Sequence, residues 1–384
     1  MKKVIVFLLM LMVLPIGNVK AEGIILAPNA KSSILIEAST GEILYENNSH
    51  ERLHPASMTK MMSMLLIVEH IEKGVIGWDD IVTVSENASS MGGSQILLET
   101  NEQMSVRDLF KGIAIASGND AVVAMAEKIG GTEEHFVKMM NDRAKDLGLK
   151  DTNFKNPHGL DASNHYSSAY DMAMIAKELV KHEVIFEYTS IYEDYLRKGL
   201  KNEIWLVNTN KLVRFYQGVD GLKTGYTAEA GYCLTATAKK ENMRIIAVTM
   251  GEPDSKTRNK EITEMLDYAY AQYSVEQLLS TDRVIGEKKV GKGVKKTVEI
   301  VPMEDVTILN KKAEEKKNAT YELKLGELKA PLKHGDVVGT LDILENDKVK
   351  RTISVTVNDD VEKANIFQLY LQYLSDIFTG NMRI

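Results

Sequence analysis

Apolar and polar residues alternate with period two in residues 33–38 and 42–46, and the break between them, Ser39-Thr40-Gly41, is a turn sequence. Together they predict a β-hairpin. From Pro55 the pattern changes. Residues 61–71 form an apolar run that ends at Lys73-Gly74, which predicts a buried helix with a glycine stop. Helical spacing returns in 106–116 and 120–129, with Ser117-Gly118-Asn119 as a tight connection between them, and a further helix is expected over 168–181. Residues 221–225, 231–238 and 243–250 then read as three successive strands of an antiparallel sheet, closed by a helix over 261–273 whose face carries Ile262, Met265, Leu266, Tyr268 and Ala269. Helices on both sides of a sheet predict an α/β sandwich.

After Ser274 the chain becomes lysine-rich and strand-like. Residues 297–301, 305–309, 321–325, 337–343 and 351–357 predict a small all-β domain, with 311–318 as a charged turn and no catalytic constellation, so a spacer or docking role is expected. Residues 362–378 place Ile366, Leu369, Tyr370, Tyr373, Leu374, Ile377 and Phe378 at helical spacing, an amphipathic helix too short and too polar to span a bilayer. We expect it to lie in a membrane interface, with packing back on the β-domain as the alternative. At the other end, basic Met1-Lys2-Lys3, the apolar run Val4 to Leu14 and the small residues of Val19-Lys20-Ala21 predict a secretory signal peptide cut after Ala21. The expected organisation is therefore 1–21 signal peptide, 22–273 catalytic domain, 274–361 β-rich domain and 362–384 amphipathic membrane-association helix.

The 384 residues suit two domains, and 44% hydrophobic with 26% charged residues is a globular composition. A formal net charge of −7, with no clustered basic face, argues against a nucleic-acid partner. Cys233 is the only cysteine, so no intrachain disulfide forms; a buried strand residue is expected there, with a thiol-sensitive group near the site as the alternative. The eight histidines are scattered and no metal-binding spacing occurs, so we expect neither metal nor cofactor.

Chemistry enters with Ser57-Met58-Thr59-Lys60, the only Ser-x-x-Lys in the chain. On a helix, Lys60 lies one turn from Ser57 on the same face, so a neutral Lys60 amine can take the hydroxyl proton, and Ser57 in the first helical turn sits at the positive end of the helix dipole. Ser117-Gly118-Asn119 and Lys223-Thr224-Gly225 follow in order. Each motif alone is an ordinary turn or strand end; Ser85-Glu86-Asn87, also a Ser-x-Asn, is expected only to start a helix. The ordered set with its flanks carries the signal.

Together the three motifs resemble those of the penicillin-recognising serine enzymes. Their surroundings, Pro55 to Met62, Asn156-Pro157-His158-Gly159-Leu160-Asp161 and Gly221 to Thr227, are similar to the low-molecular-mass D-alanyl-D-alanine carboxypeptidases of peptidase family S11. That resemblance implies a β-lactamase/transpeptidase-like sandwich with a β-rich second domain and an amphipathic tail, hence a protein exported and held peripherally at the membrane. It implies Ser57 as nucleophile, Lys60 as general base, Ser117 as proton relay to the leaving amine, and Asn119 holding both the Lys60 amine and the substrate amide. It further implies the backbone N–H groups of Ser57 and Tyr226 as oxyanion hole. Lys223, Thr224, Gly225, Thr227 and Arg258 would bind the terminal carboxylate region, with Arg244 as the rival arginine. The substrate would be a peptidoglycan stem peptide, and β-lactams would be covalent inhibitors. Tyr226 stands where several members of the family have histidine. His158 and Asp161 are expected to stabilise a loop.

Two other readings compete. A class A-like β-lactamase requires a Glu-x-x-Leu-Asn element, which Glu203 to Asn208 misses by one residue too many. A catalytically silent penicillin- or wall-binding protein would not need Ser57, Lys60, Ser117, Asn119 and Lys223 intact.

Overall fold

A computed structural model of the protein describes residues 24–345 and 347–378. The expected signal peptide, residues 1–21, and the last six residues of the tail, 379–384, lie outside the described residues.

The hairpin is present as β1 (Ser32–Glu37) and β2 (Ile43–Asn47). It joins β3 (Val219–Thr227), β4 (Gly231–Lys240) and β5 (Met243–Glu252) in one antiparallel sheet of order β2-β1-β5-β4-β3. Sequence order does not dictate spatial order: β1 pairs with β5, which leaves β3 at the edge. Alternation then sorts the strand side chains onto two faces. Ile34, Ile36, Ile246 and Val248 enter one core, whereas Leu35, Ile245 and Ala247 enter the other. Both faces are covered, so the β5 sequence reads as a continuous apolar run.

The first core is helical. Its centre is α1 (Lys60–Glu72), buried on every side over Lys60 to Val68 and ended by Gly74 in the left-handed region. Around it lie α2 (Val106–Ala116), α3 (Asn119–Gly130), α4 (Glu133–Asp146) and α5 (Ala169–Leu179). α4 is absent from the hydrophobic-pattern reading because only Phe136, Met140 and Ala144 of its charged sequence are buried. Ser105, Thr132 and Ser168 cap α2, α4 and α5 through side-chain oxygens that accept backbone N–H groups, and Ser85 does the same for the short helix Glu86–Ser89. On the opposite face α6 (Ser255–Gln272) begins six residues before the expected start at 261, because Asp254 caps it by accepting from the N–H groups of Lys256 and Thr257.

The second domain follows α6 without a linker. β6 (Tyr273–Leu279) pairs with β9 (Val306–Lys311), and a six-stranded sheet of order β10-β12-β13-β8-β7-β11 forms from β7 (Gly286–Gly291), β8 (Thr297–Pro302), β10 (Ala319–Leu325), β11 (Leu328–Lys329), β12 (Gly339–Glu345) and β13 (Lys348–Val357). The short β11, β7 and β6 were not legible as alternating runs. Across the junction Ser39 Oγ meets Thr307 Oγ1 at 2.7 Å, and Arg351 donates to the carbonyls of Ser39 and Thr307. α7 (Ile366–Phe378) starts later than expected, where Asn365 and Gln368 cap one another through side chain and backbone.

Candidate active site

Ser57 lies in a 3-10 turn, Ala56–Thr59, and α-helical bonding begins only at Lys60. This corrects the expectation of Ser57 in the first α-turn: Ala56 adopts φ +47, which bends the chain sharply before the helix starts. Ser57 remains partly open to solvent while Lys60 beneath it is fully buried.

Three acceptors surround the Lys60 amine. Its Nζ lies 3.0 Å from Ser57 Oγ, 2.6 Å from Asn119 Oδ1 and 2.7 Å from the carbonyl oxygen of His158. The last two only accept, whereas a serine hydroxyl also donates. A neutral amine that donates to Asn119 and His158 therefore turns its lone pair to the Ser57 hydroxyl. Burial first, and then the positive charge of Lys223, hold Lys60 well below the ordinary lysine range, against the opposing pull of Asp120. Burial, followed by the Arg258 guanidinium, lowers Lys223 to about 7.

The connection between α2 and α3 delivers the second motif. Ser117 takes φ +64 at the end of α2, and its buried Oγ has no hydrogen-bond partner among the described residues. Asn119 opens α3, where its Nδ2 donates to the Gly92 carbonyl at 2.7 Å and so fixes which amide atom faces Lys60. Asp120 accepts from the N–H groups of Ile96, Leu98 and Ala121, tying the 94–98 loop to the start of α3.

The third motif lies on the sheet edge. Gly225 is the residue at which β3 touches the Ser57 turn: a Cβ there would stand 2.7 Å from the Pro55 carbonyl oxygen and 3.3 Å from the Met58 nitrogen. Thr224 Oγ1 donates to Thr209 Oγ1, and Thr227 Oγ1 donates to Asp161 Oδ1 at 2.9 Å. Tyr226 is exposed and its ring stands 4.3 Å from that of Tyr232. Arg258, in the first turn of α6, reaches the Cys233 carbonyl opposite Gly225, whereas Arg244 is engaged at the other end of the strands by Asp220 and lies over Phe186. Cys233 is buried and its thiol is pushed up to about 11 by burial.

The 156–161 loop does more than brace the fold. Asn156 accepts from Gly159 N–H and donates to the Leu160 carbonyl, and Ser63 donates to the Pro157 carbonyl, so the His158 oxygen is aimed at Lys60. Gly159 sits at φ +91, and a Cβ would fall 1.9 Å from the Ala56 oxygen. His158 is lowered to about 3 and His165 to about 4, burial being the main cause in each, so both are neutral near pH 7. Sequence reasoning missed the His158 carbonyl, Asp120 and Thr209, because a backbone oxygen, a helix-start carboxylate and a loop threonine carry no chemical signature. Asn208, the end of the near-miss lactamase element, donates to the carbonyls of Thr189 and Ile191 and fastens a loop. Among the described residues no cluster of three or more histidine, cysteine or acidic side chains is arranged to hold a metal.

Residues 20–254 match the peptidase S11 family, D-alanyl-D-alanine carboxypeptidase, and residues 273–363 match the penicillin-binding protein 5 C-terminal domain. The D-alanyl-D-alanine carboxypeptidase DacF of Bacillus subtilis is 52% identical over 352 residues, covering 91% of this chain and 90% of the relative. Penicillin binding protein 5 from Haemophilus influenzae superposes with a TM-score of 0.69 at 35% identity, over 87% of this chain and 98% of that one. Penicillin-Binding Protein D2 from Listeria monocytogenes, in its ampicillin-bound form, superposes with a TM-score of 0.57 at 29% identity, over 63% of this chain and 98% of that one.

Proposed function

The chain belongs to the peptidase S11 family and is a D-alanyl-D-alanine carboxypeptidase, and we propose that it works through a Ser57 acyl-enzyme with Lys60 as the base. The observation that carries this assignment is the Lys60 amine, buried, held low and 3.0 Å from Ser57 Oγ.

Ser57 Oγ attacks the carbonyl carbon of the penultimate D-alanine of a stem peptide as its proton passes to Lys60. The negative oxygen that forms is received by the N–H groups of Ser57 and Tyr226. The close approach of β3 to the Ser57 turn at Gly225 supports that pairing, and each such donor contributes about 2.7–4 kcal/mol to the transition state. Collapse breaks the peptide bond, and the leaving amine takes its proton through Ser117, whose buried hydroxyl has no other partner among the described residues. Water then attacks the ester, Lys60 again takes the proton, and Ser57 is released.

The substrate lies along β3, the terminal strand of the sheet among the described residues, with its terminal carboxylate toward Lys223, Thr224, Thr227 and Arg258. Asn119 holds Lys60 through Oδ1; its Nδ2 is partly engaged by Gly92, which leaves one hydrogen for a substrate amide. β-Lactams acylate the same serine, a reading supported by the ampicillin-bound Listeria relative.

We also propose the division at 273/274, export through the 1–21 signal peptide, and peripheral attachment through the tail. α7 leaves Ile366, Phe367, Tyr370 and Phe378 exposed, and no described helix is long and apolar enough to cross a membrane. Beside α7 a groove of about 1040 Å³ is lined by Lys288, Lys289, Lys292 and Lys296 of the β-domain, which supplies the cationic rim that the helix itself lacks.

The test is release of free D-alanine from a stem pentapeptide ending in D-Ala-D-Ala. Protein beginning at Glu22 is expected to release it and to be labelled covalently by penicillin; Ser57→Ala is expected to do neither. Cleavage surviving in Ser57→Ala would sink the mechanism.

A further inference from the structure

Glu252, at the end of β5, is 1% exposed, and both its side-chain oxygens are buried without a hydrogen-bond donor among the described residues. The Glu261 carboxyl of α6 acts directly on Glu252; it is 2% exposed and accepts from Asn29 through both the backbone N–H, at 3.2 Å, and the side-chain amide. Two carboxylates offer each other only acceptors. One proton on Glu252 converts the pair into a donor and an acceptor, and Asn29 already supplies donors to Glu261.

Arg258 stands one turn before Glu261 on the same helix and is 5% exposed. Its guanidinium donates to Asn259 Oδ1, at 3.1 and 2.9 Å, and to the Cys233 carbonyl at 3.4 Å, and it makes no ion pair among the described residues. Cys233 is the partner of Gly225 across β4 and β3, so this guanidinium lies one strand in from the edge to which the substrate is assigned. Its charge is felt by Lys223 on one side and by Glu252 on the other.

We propose that Glu252 and Glu261 share a single proton and that the pair positions Arg258. While the proton is held, the guanidinium is available to the substrate's terminal carboxylate; when it leaves, the second negative charge draws Arg258 away. This rests on the assignment of Arg258 to that carboxylate. The groups facing Glu252 are Glu261 and Arg258 from α6, Asp254 at its cap, Tyr232 and Cys233 from β4, and Lys31 ahead of β1, against which the neighbouring Gly251 packs. Burial first, then Glu261 and Asp254, raise Glu252 to about 8, with Arg258 opposing. Release of the shared proton therefore falls at mildly alkaline pH.

The experiment is KM and kcat for a D-Ala-D-Ala peptide between about pH 6 and about pH 10. In the unaltered protein KM is expected to rise in two steps, near 7 as Lys223 loses its charge and near 8 as the pair loses its proton. Glu252→Gln, whose amide donates permanently to Glu261, is expected to keep the first step and lose the second. At the alkaline end its KM is then about tenfold below that of the unaltered protein, with kcat the same, as expected for one charge-assisted contact to a carboxylate. Both steps persisting in Glu252→Gln would overturn the pair's role. Arg258→Gln separates the two readings: an unchanged KM at the acid end overturns the assignment of Arg258 itself. A raised KM there, with Glu252→Gln still showing both steps, overturns the pair alone. If Glu252→Gln does not fold, infrared spectra of the unaltered protein decide: a buried protonated-carboxyl band that vanishes through mildly alkaline pH supports the pair, and no such band overturns it.

Discussion

Lys60, Lys223 and Arg258 place three basic side chains in one buried region, with Asp120 as a nearby anion. Crowding positive charge is costly, and the cost is relieved by loss of a proton. Arg258 keeps its charge by its chemistry, so the two lysines yield: Lys60 becomes a usable base and Lys223 falls to about 7. In the role we propose for it, Lys223 binds the substrate carboxylate only while charged, so KM is expected to rise as pH passes upward through about 7. The sign follows from a lowered lysine: the cation exists below that pH and is lost above it. Lys223→Gln is expected to raise KM below that pH, to leave it close to the unaltered value above it, and so to erase the step, which a pH series of initial rates would reveal; a step that survives in Lys223→Gln belongs to another group.

The site depends on how closely two elements approach. The edge strand β3 and the Ser57 turn meet at Gly225, where hydrogen is the only side chain that fits: the Pro55 oxygen lies 2.7 Å from the position of a Cβ. The obstruction is backbone, so it cannot be relieved by a rotamer change. Gly225→Ala is expected to move the strand off the turn, spread the two oxyanion donors, and slow acylation by about 10²-fold, the usual consequence of a misplacement near 1 Å. Single-turnover penicillin labelling measures this, with thermal melting as the control for fold. An acylation rate like that of the unaltered protein would detach Gly225 from the chemistry.

At the scale of the molecule the catalytic and β-rich parts are joined by the continuous passage from α6 into β6 and by the Arg351 and Thr307 contacts to Ser39. The lysines beside α7 belong to the β-rich part, and the groove that they line with Leu369, Gln372 and Tyr373 includes no residue of the Ser57 site. Deletion from Glu362 is therefore expected to release the protein from vesicles containing anionic lipid and to leave D-alanine release from a soluble peptide unchanged. Replacing Lys288, Lys289 and Lys292 by glutamine should weaken vesicle binding by about 1 kcal/mol per lysine at low salt. Co-sedimentation reads both, and equal binding by the truncated chain would place the attachment elsewhere.

Hydrophobic period was enough to place the hairpin, α1, α2, α3, α5 and the three long strands of the first sheet, because each buries a face wide enough to pattern its residues. The three motifs likewise singled out Ser57, Lys60, Ser117, Asn119 and Lys223, the side chains to which we assign the chemistry, and the fold brings Ser57 and Asn119 to the Lys60 amine. α4 escaped because few of its residues are buried, and the early start of α6 because a polar cap set it. The tertiary structure alone decided that β3 is the sheet edge, that the His158 carbonyl is the third acceptor of Lys60, and that Glu252 faces Glu261 beside Arg258. The physical reason is one of range. Period and motif record what a residue does with its near neighbours along the chain, whereas strand order, backbone acceptors and the charges that tune a buried amine arise between residues brought together from far apart.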